Sequence, residues 1–303
     1  MSSLPRIGWI GAGRMGVPMA GFILKAGYPV VVYSRSAASR GKLVAQGAVE
    51  ATSVAQCACE TEVVFSCVSD DTALREVALG LQGVLINAKP NTVFIDTSTV
   101  SAEVSAEIAE EARKIGIPYL RIPISGNAAS ARIGNVTALV SGPENVWNTV
   151  RPIVESFSTA QVYLGGGEEA RIMKLVVNLL VYATAQAMAE ALTLGRKAGL
   201  DWILMLDTLG QSTLASPWLI AKVALMKPRD FTPTMTARMI LKDLDLMLDA
   251  ARTNDVPLPV TALTRQLTQA LVGEGYGEED YMAAIKLAEK QAGLSAEQID
   301  FKP

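Results

Sequence analysis

Short apolar blocks alternate with helically spaced segments through the first half of the chain, and after residue 167 only the helical spacing remains. The blocks at 6–10, 29–34, 62–68 and 92–96 are rich in Val, Ile and Phe and are closed or followed by small or polar residues, as strands buried on both faces are. Between them, residues 18–27, 39–46, 53–59, 72–80 and 102–115 carry the spacing of helices, with a short strand near 48–49. Residues 117–127 and 134–142 predict two more strands joined by a polar loop, and a helix over 146–157 and a strand over 160–164 close this half. Then come Gly165-Gly166-Gly167 and a run of helices, roughly 168–198, 202–210, 216–226, 234–254, 259–274 and 280–291. The alternation predicts an α/β, doubly wound parallel sheet, followed by an all-α C-terminal domain; the expected division is 1–164 and 165–303.

The loop after the first block carries the chemistry. Gly11-Ala-Gly13-Arg14-Met15-Gly16 follows a strand and opens a helix, the context in which a GxGxxG run binds a dinucleotide and marks a Rossmann-type sheet. Gly11 allows the bend, Gly13 lets a pyrophosphate approach the backbone, and Gly16 packs the helix on the strand. The second strand ends in Ser34-Arg35, where an NAD site has Asp or Glu for the ribose hydroxyls. A hydroxyl donor and a guanidinium suit a 2′-phosphate instead, so NADP(H) is the expected cofactor, with NAD(H) as the alternative and Arg40 as a second phosphate contact. The bland reading of Arg35 is a solvated charge at a strand end.

Composition narrows the field. At 303 residues, 19% charged and net charge −3, the chain has no basic stripe for nucleic acid. The apolar stretch 175–194 is long enough to span a bilayer but holds Asn178, Gln186 and Glu190, which predicts a buried core helix and no membrane partner. The first residues show no secretory apolar core, so a cytoplasmic protein is expected. Cys57, Cys59 and Cys67 lack CxxC spacing and read as reduced thiols, with no metal site. There is no histidine, so proton transfer falls to Lys, Tyr, Asp, Glu, Cys or water, and histidine-dependent dehydrogenase and Ser-His-Asp mechanisms are excluded.

Without histidine, Lys174 becomes the leading acid–base candidate. It lies on the long apolar helix with Asn178 four residues on, hence on the same face, although a lone lysine there more often snorkels to water. Ser125-Gly126-Asn127 at a strand end offers short donors and backbone N–H groups to a substrate carboxylate, or is an ordinary turn. Ser69 follows the third strong strand, and Thr97-Ser98-Thr99 follows the next; those hydroxyls either touch nicotinamide or substrate or cap the following helix. Lys242-Asp243-Leu244 on a later helix is either a solvated charged turn or a contact to the cofactor.

Together these motifs resemble the β-hydroxyacid dehydrogenase family, which includes 3-hydroxyisobutyrate dehydrogenase and tartronate semialdehyde reductase. Its GxGxMGxPMA run matches Gly11–Ala20, its Asp-Ala-Pro-Val-Ser-Gly-Gly loop matches Arg121–Asn127, and its catalytic lysine in Gly-x-Gly-x-x-x-Lys-x-x-Asn-Asn falls on Lys174, with the second Asn on Asn178. Its Lys-Asp-Leu motif matches Lys242–Leu244, and a late Gly-x-Gly-x-x-Asp matches Gly275, Gly277 and Asp280. Arg121, Asn127 and Val177 replace the family's Asp, second Gly and first Asn, so Arg121 and Arg132 are candidates for an additional anionic group on the substrate. The resemblance implies hydride transfer between nicotinamide and a small 3-hydroxy acid or its semialdehyde or keto form. Lys174, Asn178 and Ser125 are then catalytic, and Ser125, Gly126, Asn127 and Arg121 hold substrate. The implied cofactor set is Gly11, Gly13, Arg14, Met15, Gly16, Ser34, Arg35, Val68, Ser69, Thr99 and Lys242, in a homodimer or homotetramer. The alternatives are an imine reductase of the same fold, which the retained lysine opposes, and a non-catalytic NADP(H)-binding redox sensor.

Overall fold

In the computed structural model, which describes residues 4–295, the chain forms two compact units, Met1–Val177 and Asn178–Pro303. Strands Ile7–Ile10 (β1), Val30–Tyr33 (β2), Val49–Glu50 (β3), Val63–Ser66 (β4), Val93–Asp96 (β5) and Tyr119–Arg121 (β6) run parallel in the spatial order β3-β2-β1-β4-β5-β6. Ile124–Ser125 (β7), Thr137–Ser141 (β8) and Ala160–Gly165 (β9) extend the sheet, with β8 antiparallel to β6 and β7 and parallel to β9. The order reverses at β1, which lies between β2 and β4. The loop leaving β1 therefore opens at the switch point, where such sheets bind ligands.

Helices Gly16–Lys25 (α1), Ala37–Val44 (α2), Val54–Cys59 (α3), Asp71–Leu79 (α4), Val84–Asn87 (α5), Ala102–Lys114 (α6), Ala128–Arg132 (α7) and Glu144–Glu155 (α8) belong to this unit. Alternate strand residues enter two separate apolar clusters. Trp9, Val32 and Phe65 pack with Phe157 on one side, while Val31, Val64 and Phe94 pack on the other. Trp9 stacks on Phe65 at 5.2 Å and meets Phe157 edge-on at 6.3 Å. Two features depart from the sequence reading. The stretch 117–127 is two strands rather than one, with Pro123 in the gap, where it can donate no ladder hydrogen bond. The polar loop after it contains α7, nucleated by a capping box in which the Asn127 side chain accepts from Ser130 N–H and the Ser130 hydroxyl accepts from Asn127 N–H.

Glu169–Lys197 (α9) begins in the first unit and continues through the second, which adds Trp202–Gln211 (α10), Pro217–Met226 (α11), Ala237–Thr253 (α12), Pro259–Leu271 (α13) and Ala284–Gln291 (α14). Asp201, Ser216 and Thr236 cap α10, α11 and α12 by accepting from backbone N–H groups. The helix expected to reach 274 stops at Leu271, where a π turn follows and Gly275 takes φ +94°. The last helix starts as a 3₁₀ turn, Tyr281–Ala283, capped by Asp280. Asp280 also accepts from the buried Lys222 at 2.9 Å and from the Thr234 hydroxyl at 2.6 Å, fastening the turn to α11.

Among the described residues, α9 is the one helix long and apolar enough to cross a membrane. Its buried face is nevertheless partly polar. Arg171, Lys174, Asn178 and Tyr182 are buried with Ala185 and Ala189, at helical spacing, while Ile172, Met173, Val176, Leu180 and Leu194 are exposed.

Candidate active site

β1 hands the chain to Gly11 at φ +99°, where a Cβ would run into the Cys67 carbonyl. Gly16 is closed in the same way by the Gly11 carbonyl, whereas a Cβ on Gly13 would meet nothing within 4 Å. Two glycines thus bring strand and helix together, and the third leaves the backbone open to a ligand. Trp9 braces the bend by donating from Nε1 to the Gly11 carbonyl at 3.1 Å. α1 follows with Met15 at its N-cap and no side-chain cap; Val17 N–H goes to the Gly13 carbonyl at 3.0 Å and Pro18 has none, so an anion would meet the backbone ahead of Val17. Arg14 is exposed and Met15 packs on the core beside this opening. These residues fit a dinucleotide diphosphate.

At the end of β2, Arg40 donates from Nε to Glu50 at 2.8 Å and from Nη1 to the Ser34 carbonyl. That corrects its expected role, because a guanidinium held by a carboxylate and a carbonyl braces the loop rather than waiting for a phosphate. Arg35 is exposed and makes no ion pair or hydrogen bond among the described residues.

The ends of β4 and β5 meet around Asp96, which is fully buried. Its Oδ1 accepts from Ser66 Oγ at 2.6 Å and Ser98 Oγ at 2.7 Å, and its Oδ2 from Arg171 Nη2 at 2.6 Å. Ser98 Oγ accepts in turn from the Val68 N–H at 2.8 Å. Arg171, 1% exposed, also donates to the Ser98 carbonyl at 2.7 Å, the Tyr119 hydroxyl at 2.9 Å and Ser105 Oγ at 3.1 Å. Desolvation pulls the Arg171 guanidinium down, but the charge and hydrogen bond of the facing Asp96 oppose it, and the guanidinium is held above its ordinary value. Burial raises the Tyr119 phenol, which stays a neutral donor and acceptor. The helix-capping alternative for Thr97–Thr99 is settled by Ser101, whose hydroxyl accepts from Val104 N–H at the start of α6. Thr97 Oγ1 donates to the Ser66 carbonyl at 2.7 Å. Ser69 is exposed and donates to Asp70, the cap of α4.

The substrate loop is more committed than its sequence suggests. Asn127 Oδ1 accepts from the Ala129 and Ser130 N–H groups, and the Asn127 N–H goes to Ser130 Oγ. Gly126 sits at φ +147°, where a Cβ would press on Ser130 and Val136. The Ser125 hydroxyl is left without a partner among the described residues. Arg121 is not held for a substrate anion either. It lies buried over the Tyr119 ring at 4.7 Å and donates to Glu168 Oε1 through Nε at 2.8 Å and through Nη2. Counted back from Lys174, the family's two glycines fall on Glu168 and Ala170. The two departures from the family pattern, Arg121 and Glu168, face each other, and each supplies the other's counter-charge.

Lys174, 7% exposed, lies three residues after Arg171 in the first unit. In the second unit, Asn178 Nδ2 donates to Asp243 Oδ2 at 2.9 Å and to the Tyr182 hydroxyl at 3.1 Å. Tyr182 donates to the same carboxylate oxygen at 2.7 Å, and burial followed by the Asp243 charge holds its phenol far above the ordinary value. Asp243 is 0% exposed, so the Lys242-Asp243-Leu244 segment is no solvated turn. Lys242 stands at its rim, 3.1 Å from Asp243 Oδ1. Sequence reasoning passed over Asp96, Arg171 and Tyr182 and named Asp243 only as part of the Lys242-Asp243-Leu244 motif. A charged or phenolic residue in or at the end of an apolar run was the available signal for Asp96 and Tyr182.

A doubly wound sheet with an open glycine turn at its switch point is the frame of a dinucleotide-binding protein. Residues 6–166 match the family described as the NAD binding domain of 6-phosphogluconate dehydrogenase, and residues 169–288 that described as NAD-binding of NADP-dependent 3-hydroxyisobutyrate dehydrogenase. The chain is 33% identical over 291 residues to the 2-(hydroxymethyl)glutarate dehydrogenase of Eubacterium barkeri, covering 96% of this chain and 97% of that one. It is 27% identical to the mitochondrial 3-hydroxyisobutyrate dehydrogenase of Mus musculus, covering 94% of this chain and 88% of the other. A solved 3-hydroxyisobutyrate dehydrogenase from Salmonella typhimurium superposes with a TM-score of 0.85 at 26% identity, over 93% and 99% of the two chains. The chain belongs to the β-hydroxyacid dehydrogenase family and is an NAD(P)-dependent oxidoreductase.

Proposed function

We propose that the enzyme interconverts a small 3-hydroxy acid and its semialdehyde or keto form, with NADP(H) preferred and Lys174 as the general acid and base. The observation that carries the reading is Lys174 itself, a lysine held in the fold at 7% exposure in a chain without histidine.

When bound, the nicotinamide supplies or takes the hydride. The Gly13 backbone and the uncapped start of α1 hold the diphosphate, with Arg35 and Ser34 at the ribose end. Lys174 Nζ gives its proton to the carbonyl oxygen in reduction and takes the hydroxyl proton in oxidation. Asn178, the second residue of the lysine motif, has its amide held in one orientation by Asp243 and Tyr182. The Ser125 hydroxyl and the Asn127 amide nitrogen serve the substrate carboxylate. The exposed apolar side of α9, including Leu180 and Leu194, supports a homo-oligomer in which a second copy covers it.

The test is NADPH and NADH oxidation with a panel of small semialdehydes and oxo acids, on the parent and Lys174→Ala. Lysine-dependent turnover that is faster with NADPH is expected. Equal turnover in the variant would remove Lys174 from the mechanism, and higher kcat/KM with NADH would remove the cofactor preference.

A further inference from the structure

We propose that Arg171 is a positioning residue for the reaction: its clamp on Asp96 sets where the first turns of α9 stand against the end of β5 and so where Lys174 meets the substrate. The inference rests on the assignment of Lys174 as the acid–base group.

Arg171 occupies the first turn of α9 and uses Nε, Nη1 and Nη2 on four partners, Ser105, the Ser98 carbonyl, Asp96 and Tyr119. Those partners come from β5, the segment after it, β6 and α6, so the guanidinium is held from several directions. A planar fork held this way fixes the rotation of its helix as well as its height, which a flexible ammonium does not do. Residues three apart on a helix share a face, with about 4.5 Å of rise between them. Fixing Arg171 therefore fixes Lys174. The same carboxylate orders the other side: Asp96 Oδ1 holds Ser98 Oγ, and Ser98 Oγ holds the Val68 N–H at the end of β4, where the sheet receives its cofactor. One buried ion pair thus joins the helix that bears the acid to the strand ends that face the hydride donor. Stability alone is a poor reason for such a pair, since an apolar replacement of similar shape is often as stable.

The experiment compares Arg171→Gln and Arg171→Lys with Lys174→Ala and the parent, reading kcat, KM, the NADPH dissociation constant by fluorescence and the thermal midpoint. A displacement of about 1 Å at the acid predicts a loss of about 100-fold in kcat for Arg171→Gln. The NADPH dissociation constant should stay within about twofold, and Arg171→Lys should recover part of kcat. A folded Arg171→Gln with the parent's kcat overturns the proposal, and so does a loss of kcat matched by an equal loss of NADPH affinity. If Arg171→Gln does not fold, Tyr119→Phe, which removes one partner of the guanidinium and keeps the ring, decides: a selective fall in kcat supports the clamp and an unchanged kcat overturns it. Lys174→Ala separates the two readings. Inactivity there with normal turnover in the Arg171 variants sinks the clamp alone, whereas normal turnover in Lys174→Ala sinks the acid–base assignment beneath it.

Discussion

The glycine turn after β1 and the first turn of α9 solve opposite problems in the same unit. The turn works by omission: a Cβ at Gly11 or Gly16 would strike a carbonyl, and Gly13 leaves its backbone bare. The start of α9 works by saturation, with Arg171, Asp96, Ser66, Ser98, Ser105 and Tyr119 satisfying one another away from water. An opening made by omission accepts a ligand and tolerates little added bulk. A saturated cluster accepts nothing and tolerates no lost partner, because each stranded group keeps its full desolvation penalty. Binding and positioning are thus divided between them.

The largest expected effect lies on the chemistry that both regions serve. Lys174→Ala should lower kcat by about 10²–10⁴-fold while the NADPH dissociation constant, measured by titration, hardly moves. Next, Asp96→Ala should destabilise the fold by about 3–5 kcal/mol in denaturant unfolding, because it leaves the Arg171 guanidinium buried without its counter-charge. If that variant unfolds within about 1 kcal/mol of the parent, the saturated picture of this cluster is wrong. Arg35→Asp tests the open region by charge and should shift the kcat/KM ratio of NADPH to NADH toward NADH by about 10–100-fold. Gly13→Ala sharpens the contrast, since its methyl enters empty space in the protein. The thermal midpoint should hold while NADPH binding weakens by about tenfold, because the backbone can no longer approach the diphosphate.

The most gradual effect is a pH dependence. Burial pushes the Cys57 thiol up to about 12 and the Cys67 thiol up to about 11, from an ordinary 9.0. A thiol that stays protonated in the fold but ionises in the unfolded chain contributes stability that is fully present below pH 9 and is lost as pH rises through 11 and 12. The unfolding free energy from denaturant titrations should therefore be flat below pH 9 and fall above it, by about 1 kcal/mol per pH unit for each thiol. Cys57→Ala should flatten part of that slope.

Much of the sheet was legible because its signals are local. The blocks at β1, β2, β4 and β5 are uninterrupted apolar runs closed by small residues, and glycine at 11, 13 and 16 has few other uses at a strand–helix junction. The short helix α7 was not legible, because its cause is a reciprocal contact between Asn127 and Ser130 inside what reads as a turn. For the same reason Asn127 was assigned to substrate with both its backbone N–H and its Oδ1 already engaged. Arg121 reads as an anion site from its own loop, because its partner in the fold, Glu168, is 47 residues away.

By itself, the sequence determined the alternation of strands and helices, the open dinucleotide turn and the exclusion of histidine chemistry, and it made Lys174 the candidate acid, since each follows from residue type, spacing or absence. Only the tertiary structure decided which charges meet. Asp96 with Arg171, Arg121 with Glu168, and Asp243 with Asn178 and Tyr182 are far apart along the chain. The physical reason is that burial gives an ion pair its weight, and burial belongs to the packed fold, where a charge must find its partner across the chain or not be buried at all.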